Sequence, residues 1–525
     1  MRWWTTCVAL TSLIPYTLLP SYGFSLPQQL EARQNDYPSG SLLHDCVLTR
    51  LPVDYPGQHT LPTLELIQKL NATNGTFLPL EEIQGDIMIG MRKPKEIFFF
   101  YSIQNPRKFK SVLAKLIYPH ITTTAQMVCT TCTQPSAMLN VAWTSQGLRK
   151  LGVLDDLGDP YFAMGQLNDA AALGDTDPST TWAPGLYANK TDGAFLIAAR
   201  DWEPIDTLLN QMKNWLGDAI VETHSNRGAV RPGDAAGKEH FGWLDGFIQP
   251  AVAGFATSTY PGQQLLLPGT LLTKEIGDPR RAARPAWTKW GSFMAYRQLQ
   301  ELVPEFDDYL MQEAALIQDS SRSVRERADL LGARMFGRWK SGTPLDLAPE
   351  RDDPSIGPNL MLNNNFDFNH PAPFDINSNQ SYCPFSAHIR KIRPRADQGN
   401  TNLKNQMIRA SIPYGEELSD DEINSKKTAT ERGVAFVTYQ SDLGSGFHFQ
   451  QAEWANNVNI PTGKSDPTPG FDPIVGQNNG KPLVVSGIDY TDLNHDLTFM
   501  SFVVSKGGDY FFSPSMSAIL HKIAA

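Results

Sequence analysis

The chain has 525 residues, well above a usual domain size of about 100–200, so two or three domains with substantial cores are expected. Hydrophobic residues make up 41% and charged residues 19%, which excludes a disordered or fibrous protein. The formal net charge of −10 argues against a surface for nucleic acid or anionic membranes. The composition therefore predicts a soluble globular protein, with neither nucleic acid nor membrane as a partner.

Residues 1–23 have the pattern of a secretory signal peptide. Arg2 supplies a minimal positive start, and Ser21 and Gly23 supply the small residues of a cleavage site. The apolar run between them has about 13 residues, too few to span a bilayer, which needs about 20. Four glycosylation sequons agree with a secretory route and predict a secreted, extracellular glycoprotein, at Asn71, Asn74, Asn189 and Asn379.

Residues 24–63 are polar, proline-rich and weakly periodic, and are expected to form a leader, a propeptide or an extended arm. Of the five cysteines, Cys7 would leave with the signal peptide, and only Cys129 and Cys132 have a paired spacing. That spacing favours a local disulfide or packed thiols over zinc, because no second CxxC or HxxxH pattern supplies two more ligands. With so few cysteines, the fold is expected to depend on its core.

A strand followed by a helix is predicted in each half of the chain. A buried strand over Glu96–Tyr101 precedes a helix over Arg107–Leu116 with its apolar residues on one side. A second strand over Gly291–Tyr296 precedes a helix that starts at Val303. Recurring units of this kind predict an α+β fold with helices packed on sheets. We divide the folded part into an N-terminal domain, a connection and a C-terminal domain, over residues 64–265, 266–285 and 286–525.

The bend over residues 241–247 places Asp245 between glycines and large apolar side chains. Gly242 and Gly246 allow positive φ angles and the close approach of a bulky planar ligand. Apolar neighbours disfavour the charged carboxylate and raise its pKa towards neutral pH. The residues alone leave two interpretations open, an aspartate in a turn and an acid that transfers protons.

A histidine followed by cations marks the second half. After His388 four cations lie within seven residues, and an iron porphyrin could use both features, with imidazole on the iron and cations on the propionates. Arg409 lies in an apolar run and is either a member of an ion pair or a residue that stabilises negative charge as a peroxide bond breaks. A packed histidine is the alternative for His388, and His240 and His448 are rival ligands on local chemistry.

Together these motifs resemble those of the dye-decolourising haem peroxidases, and most of all their secreted fungal branch. Residues 242–246 are similar to the GxxDG signature of that family, and residues 383–391 to its segment around the proximal histidine. Further landmarks are at residues 83–87, 139–148 and 337–342. The resemblance extends from about Leu64 to the C-terminus.

That resemblance implies two ferredoxin-like domains of the dimeric α+β barrel type, with antiparallel sheets, peripheral helices and one haem b per chain. His388 would be the axial ligand of the haem iron, and Asp472 would accept the second N–H of its ring. Phe436 would line the distal side, where Asp245 and Arg409 would be the catalytic acid and arginine.

Two positions depart from the family pattern. Arg393 stands where many relatives have asparagine, so contacts with the cofactor are expected to differ in detail there. Ser411 replaces an asparagine found in some bacterial branches, and no catalytic role is assigned to it.

The resemblance also implies a secreted peroxidase that uses hydrogen peroxide to oxidise dyes, phenols and other organic reductants through an oxyferryl intermediate. Trp454 and Tyr414 resemble residues that relay electrons to the surface, and ordinary packed aromatics are their alternative. A monomer or weak homodimer is expected. Two other classes stay open, a secreted haem-binding or haem-handling protein with little turnover and a structural or carbohydrate-binding protein. Asp245 and Arg409 separate the first from a peroxidase, because only peroxide cleavage needs them.

Overall fold

The computed structural model describes residues 62–74, 77–128, 134–188, 190–244, 246, 248–258, 260–399, 402–464 and 467–525. The predicted signal peptide, nearly all of the predicted leader, and Cys129, Cys132, Asn189 and Asp245 lie outside these residues. Among the described residues, none of the helices combines the length and the apolar character that crossing a membrane requires.

Thirteen strands occur in the described residues. In chain order, β1 to β13 are Lys95–Ile103, Ala137–Trp143, Gly193–Ala199, Ile220–Ala229, Ala251–Val252, Leu265–Leu266, Ser292–Glu301, Ile408–Arg409, Ile412–Tyr414, Gly433–Gln440, Leu483–Val485, Leu497–Phe499 and Val503–Ser513.

Helices connect and cover these strands. The α-helices of the described residues are Leu64–Asn74, Gly85–Ile89, Pro106–Val112, Thr124–Val128, Ser145–Lys150, Pro160–Met164, Gln166–Asp169, Pro178–Thr181, Pro184–Tyr187, Trp202–Leu216, Val303–Leu316, Val324–Phe336, His388–Lys391, Asp420–Ser425 and Met516–Ala518. Turns of π-helix cover Leu113–Ile117, Phe449–Ala455 and Ile519–Ile523.

The main sheet contains two ferredoxin-like halves. The first half has the order β2-β3-β1-β4 and the second the order β13-β7-β10-β9, with every pairing antiparallel. The halves meet edge to edge, where Phe512 pairs with Trp143 and Gly228 with Tyr414. Because β7 pairs with both β13 and β10, eight strands close into a barrel, and β8 pairs with β10. The expected fold class is confirmed.

The predicted elements are present with small changes of extent. The buried run around Phe98 is β1, and the helix after it runs from Pro106 to Val112 before a π-helical turn. The run after Gly291 is β7, followed by the helix Val303–Leu316.

Strand β1 reads as a continuous apolar run because both of its faces are buried. Phe98 and Phe100 point into the barrel, whereas Phe99 and Tyr101 pack on its outer side. Strand β10 alternates in the same way, so Tyr439 faces the interior and Phe436 the outer side. The candidate site lies on this outer side of the second half.

Candidate functional site

The bend before Asp245 has the conformation that its glycines allow. Gly242 has φ 97° and Gly246 has φ 73°, values that favour glycine. The carboxylate of Glu239 accepts hydrogen bonds from the backbone N–H groups of Phe241 and Trp243, both at 2.7 Å. The Trp243 ring stacks on Phe336 at 4.2 Å. These contacts fix the segment that leads to Asp245.

His388 begins a short helix and is held by a buried carboxylate. Its Nδ1 lies 2.8 Å from Oδ2 of Asp472, whose side chain is fully buried. The other oxygen of Asp472 accepts hydrogen bonds from the backbone N–H groups of Ile474 and Val475, at 2.8 and 3.0 Å. Because both carboxylate oxygens are engaged, the imidazole has one fixed orientation.

Lys391 ties the segment that carries Asp472 to the histidine helix. Its Nζ donates to the carbonyl oxygens of Asn457, Ile460 and Gly470 at 2.6–2.8 Å. Burial lowers the pKa of this ammonium to about 7, and the carboxylate of Asp472 opposes the shift. Lys391 is therefore a structural cation rather than a partner for an anionic ligand.

The side chain of Arg390 also forms its hydrogen bonds with groups of the protein. It forms two hydrogen bonds of 2.8 Å with Asp397 and donates to the carbonyl of Cys383 at 2.6 Å. Of the four cations after His388 that the sequence offers as partners for propionates, Arg390 and Lys391 therefore form their hydrogen bonds within the protein. Of these four cations, Arg393 and Arg395 line the cavity beside the histidine.

A cavity of about 310 Å³ opens beside His388. The outer side of the sheet contributes Phe436, and the segments on either side of position 245 contribute Leu244 and Gly246. A Cβ atom added to Gly246 would meet nothing within 4 Å, so the backbone borders open space at this position. The walls are thus largely apolar, with a histidine on one side and arginines on another.

Five arginines line this cavity, and apart from Arg297, which is paired with Asp175, they are Arg338, Arg393, Arg395 and Arg409. Burial lowers the pKa of Arg338 to about 9, with further contributions from Arg393 and Arg409. Burial, with Arg409 nearby, lowers the pKa of Arg393 to about 10. The Nε atoms of Arg393 and Arg395 are buried without a hydrogen-bond partner. Such mutually repelling cations fit a ligand with two carboxylates, as a haem has.

Arg409 lies on β8 with its backbone fixed by one glutamine. Its N–H donates to Oε1 of Gln249 at 3.2 Å, and Nε2 of Gln249 donates to its carbonyl at 2.7 Å. Both residues also line a second cavity of about 270 Å³ that shares Gly246 with the first. Arg409 therefore lies in a wall common to both cavities.

The family described as DyP dimeric alpha+beta barrel domain matches residues 82–232, and the family described as Dyp-type peroxidase, C-terminal, matches residues 279–467. Dye-decolorizing peroxidase AauDyP1 of Auricularia auricula-judae is 46% identical, covering 86% of this chain and 88% of that protein. Peroxidase 2 of Mycetinis scorodonius is 45% identical, covering 93% and 96%. The crystal structure of AauDyP with imidazole superposes with a TM-score of 0.82 at 45% identity, covering 86% of this chain and all of that chain.

The chain belongs to the dye-decolourising peroxidase family. It is an enzyme that uses hydrogen peroxide to oxidise dyes, and members of its family are haem enzymes.

Two relay residues expected at the surface of this peroxidase are buried. Trp454 is only 2% exposed and packs edge-on against Phe449, with 5.2 Å between the ring centroids. Tyr414 is 6% exposed, and its hydroxyl donates to Glu431 at 2.9 Å. The surface position is corrected, because neither ring can touch a bulky dye directly. A role in electron relay stays a prediction.

The rival histidines have structural partners. Nε2 of His240 lies 2.9 Å from the carbonyl of Tyr414, and burial lowers the pKa of this imidazole to about 4. Nδ1 of His448 lies 2.9 Å from the buried carboxylate of Asp169. Neither histidine lines the cavity, whereas His388 does.

Three further residues that the sequence singled out lie in described parts of the structure. Phe436 lines the cavity and packs near Phe447, with 6.1 Å between the centroids. Cys383 is a buried thiol whose pKa burial raises to about 12. Asn379 is half-buried, and its side-chain oxygen accepts from the N–H of Ser381 at 2.9 Å. Its glycosylation stays a prediction.

Sequence reasoning gave no role to Arg338 or Gln249, and it treated Lys391 only as a candidate partner for propionates. Arg338 was visible as part of the landmark at residues 337–342, where an arginine after a glycine could have been read as a cavity residue. Gln249 and Lys391 gave no such signal, because their function is to hold backbone that is distant in sequence.

Proposed function

We propose that this peroxidase binds one haem b in the 310 Å³ cavity, where His388 would bind the iron. The observation that carries the proposal is the 2.8 Å contact between Nδ1 of His388 and the buried carboxylate of Asp472, beside a cavity lined by arginines. Bound haem would supply the redox-active iron at which peroxide is reduced. Asp472 accepts the ring N–H, which orients the imidazole and makes it a stronger donor.

Arg393 and Arg395 are assigned to the propionates. Each has a buried Nε without a hydrogen-bond partner. Arg393 also donates to the carbonyl of Gly262 at 2.8 Å, which holds its side chain in place. Carboxylates placed here would satisfy these donors and relieve the repulsion among the arginines.

Asp245 is assigned as the acid that moves a proton between the two oxygens of peroxide. Its chain neighbours Leu244 and Gly246 line the cavity, and Asp245 itself lies outside the described residues. In this proposal its carboxylate takes a proton from one oxygen and returns it to the other, so that water can leave. Arg409, with its backbone fixed by Gln249, stabilises the negative charge that develops as the O–O bond breaks. Phe436 keeps the distal side apolar.

The finer features of the enzyme are also proposals. Phenols and other organic molecules are proposed as reductants besides dyes, and Trp454 and Tyr414 as internal relay residues. Secretion and glycosylation rest on the first 23 residues and the four sequons, and a monomer or weak homodimer is proposed. The alternative, haem binding with little turnover, is favoured by no specific contact.

An absorption spectrum before and after one equivalent of peroxide tests the assignment. We expect a Soret band that shifts on mixing, and in Asp245→Asn the same resting band with a reaction slower by at least about 100-fold. A resting band that does not respond to peroxide would indicate a haem-binding protein. Peroxide reacting with Asp245→Asn at the native rate would rule out the proton-transfer role.

A further inference from the structure

A chain of aromatic and acidic side chains leads from the haem cavity towards the surface. It begins at Phe447, which lines the cavity. The ring of Tyr510 on β13 follows, with 6.1 Å between the two centroids. Both residues belong to the core on the outer side of the sheet, the same side as the cavity.

Tyr510 has a built-in proton acceptor. It is fully buried, and its hydroxyl donates to Oδ2 of Asp169 at 2.6 Å. The same carboxylate oxygen lies 2.9 Å from Nδ1 of His448. Burial and this carboxylate raise the pKa of Tyr510, so its proton is lost only together with an electron. A short hydrogen bond to a carboxylate allows that loss without moving the ring.

The chain continues to a residue that solvent reaches. The ring of Tyr161 stacks on His448, with 3.9 Å between the centroids and 28° between the planes. Tyr161 is half-buried, unlike Trp454 and Tyr414. Burial and Asp169 also raise the pKa of Tyr161, so it meets a substrate as the neutral phenol.

We propose that Tyr161 is a surface oxidation site for phenols and dyes too large for the cavity, and that Tyr510 connects it to the cavity. The proposal rests on the proposed function, because peroxide reduction in the cavity supplies the oxidant. Each oxidising equivalent removes one electron from Tyr510, whose proton passes to Asp169. Tyr161 then returns an electron to Tyr510 and loses its own proton to water, while Asp169 returns the first proton. A bulky phenol restores Tyr161 by giving it one electron and one proton.

A second buried tyrosine provides a matched control. The hydroxyl of Tyr439 donates to Oδ2 of Asp86 at 2.6 Å, as Tyr510 does to Asp169. Tyr439 faces the barrel interior, on the side of the sheet away from the cavity. The same chemical pair is therefore present at Tyr439 without a ring contact to His448 among the described residues.

Radical trapping at Tyr161 is the direct test. The haem-loaded protein is mixed with peroxide and a nitroso spin trap, digested and analysed by mass spectrometry for tyrosine adducts. We expect an adduct at Tyr161 in the native chain and in Tyr439→Phe, and about a tenfold lower yield in Tyr510→Phe. An unchanged yield in Tyr510→Phe would overturn the route, and no adduct at Tyr161 would overturn the site. If the Soret band of the native protein did not shift when peroxide was added, the proposed function itself would fail.

Substitution at Tyr161 tests the role without disturbing the core. Phenylalanine keeps the stacked ring and loses its redox activity, whereas tryptophan keeps both. In Tyr161→Phe, the ratio of kcat/KM for a bulky dye to that for a small phenol should fall about tenfold, and Tyr161→Trp should restore it. Equal ratios in the native protein and in Tyr161→Phe would rule out oxidation at this residue. A loss that Tyr161→Trp fails to restore would show that the effect comes from altered packing, which would also overturn the proposal.

Discussion

The two charged sides of the proposed haem cavity differ in how many of their hydrogen-bonding groups have a partner within the protein. On the histidine side, the carboxylate of Asp472 and the ammonium of Lys391 form hydrogen bonds with an imidazole and with backbone groups. On the arginine side, Arg393 and Arg395 each keep a buried Nε without a partner. Side chains whose polar groups already have hydrogen-bond partners keep the shape of the cavity. Buried N–H donors without a partner are instead available to bind a ligand.

Substitutions on the two sides of the cavity should have different consequences. A change of the Arg409 side chain should alter chemistry while the fold persists, because the hydrogen bonds that join this residue to Gln249 come from its backbone. A change of Lys391, on the side of Asp472, should lower the stability of the fold, because it leaves three carbonyl oxygens without their donor.

The largest expected effect is that of Arg409→Leu. Loss of the guanidinium removes the group that stabilises charge as the peroxide bond breaks, so the reaction with peroxide should slow about 100- to 1,000-fold. Stopped-flow absorbance with peroxide measures the rate, and urea unfolding should show little change in stability. Arg393→Leu removes the same group from the same cluster and should instead speed haem loss more than it slows the reaction. The reverse order of these effects would show that the two roles are exchanged.

The histidine side of the cavity could be predicted from the sequence more completely than the arginine side. His388 and Asp472 could be matched to family motifs because each lies in a recognisable stretch, and the structure brings them together across 84 residues. The four cations after His388 are similar in sequence, and only contacts with Asp397 and with distant carbonyls separate two of them from the ligand. Local pattern cannot show which side of a short helix a cation faces.

The same limit applies to the aromatic residues. Strands β1 and β7 were predictable, because long apolar runs report buried strands directly. Exposure of single rings was not predictable, since Trp454 lies in a π-helical turn whose packing depends on distant elements. Closure of the barrel through β7 and β10 likewise depends on contacts that no local period reports.

A smaller effect, on stability, is expected from Lys391→Met. Three buried carbonyls would lose a charged donor, which should lower the free energy of unfolding by about 3 kcal/mol and speed haem loss. Urea unfolding and transfer of haem to an acceptor protein measure the two effects. Lys464→Met is the matched control, because Lys464 is a buried lysine that donates to the carbonyl of Ile376 and to Asp397 instead. If both variants lose haem equally fast, Lys391 has no special link to the histidine side of the cavity.

The smallest effect concerns a carboxyl group inside the barrel, away from both sides of the cavity. Oδ1 of Asp86 accepts the N–H of Met91 at 2.8 Å, Oδ2 accepts the hydroxyl of Tyr439 at 2.6 Å, and burial raises the pKa of Asp86 from 3.8 to about 6. Since its folded-state pKa lies above the unfolded value, its stabilising contribution is complete below about pH 4 and is lost as pH rises through about 6.

Asparagine at position 86 cannot titrate. When the pH falls from 7 to 5, the free energy of unfolding of the native chain should therefore rise by about 1.4 kcal/mol relative to that of Asp86→Asn. Urea unfolding of both proteins at the two pH values measures this gain. The rate of the peroxide reaction should stay within about twofold of native in the variant, because the sheet separates Asp86 from the cavity. A stability difference that does not change with pH would show that the carboxyl keeps one protonation state across this range. A slowed peroxide reaction would show that the barrel interior and the cavity are coupled through β10.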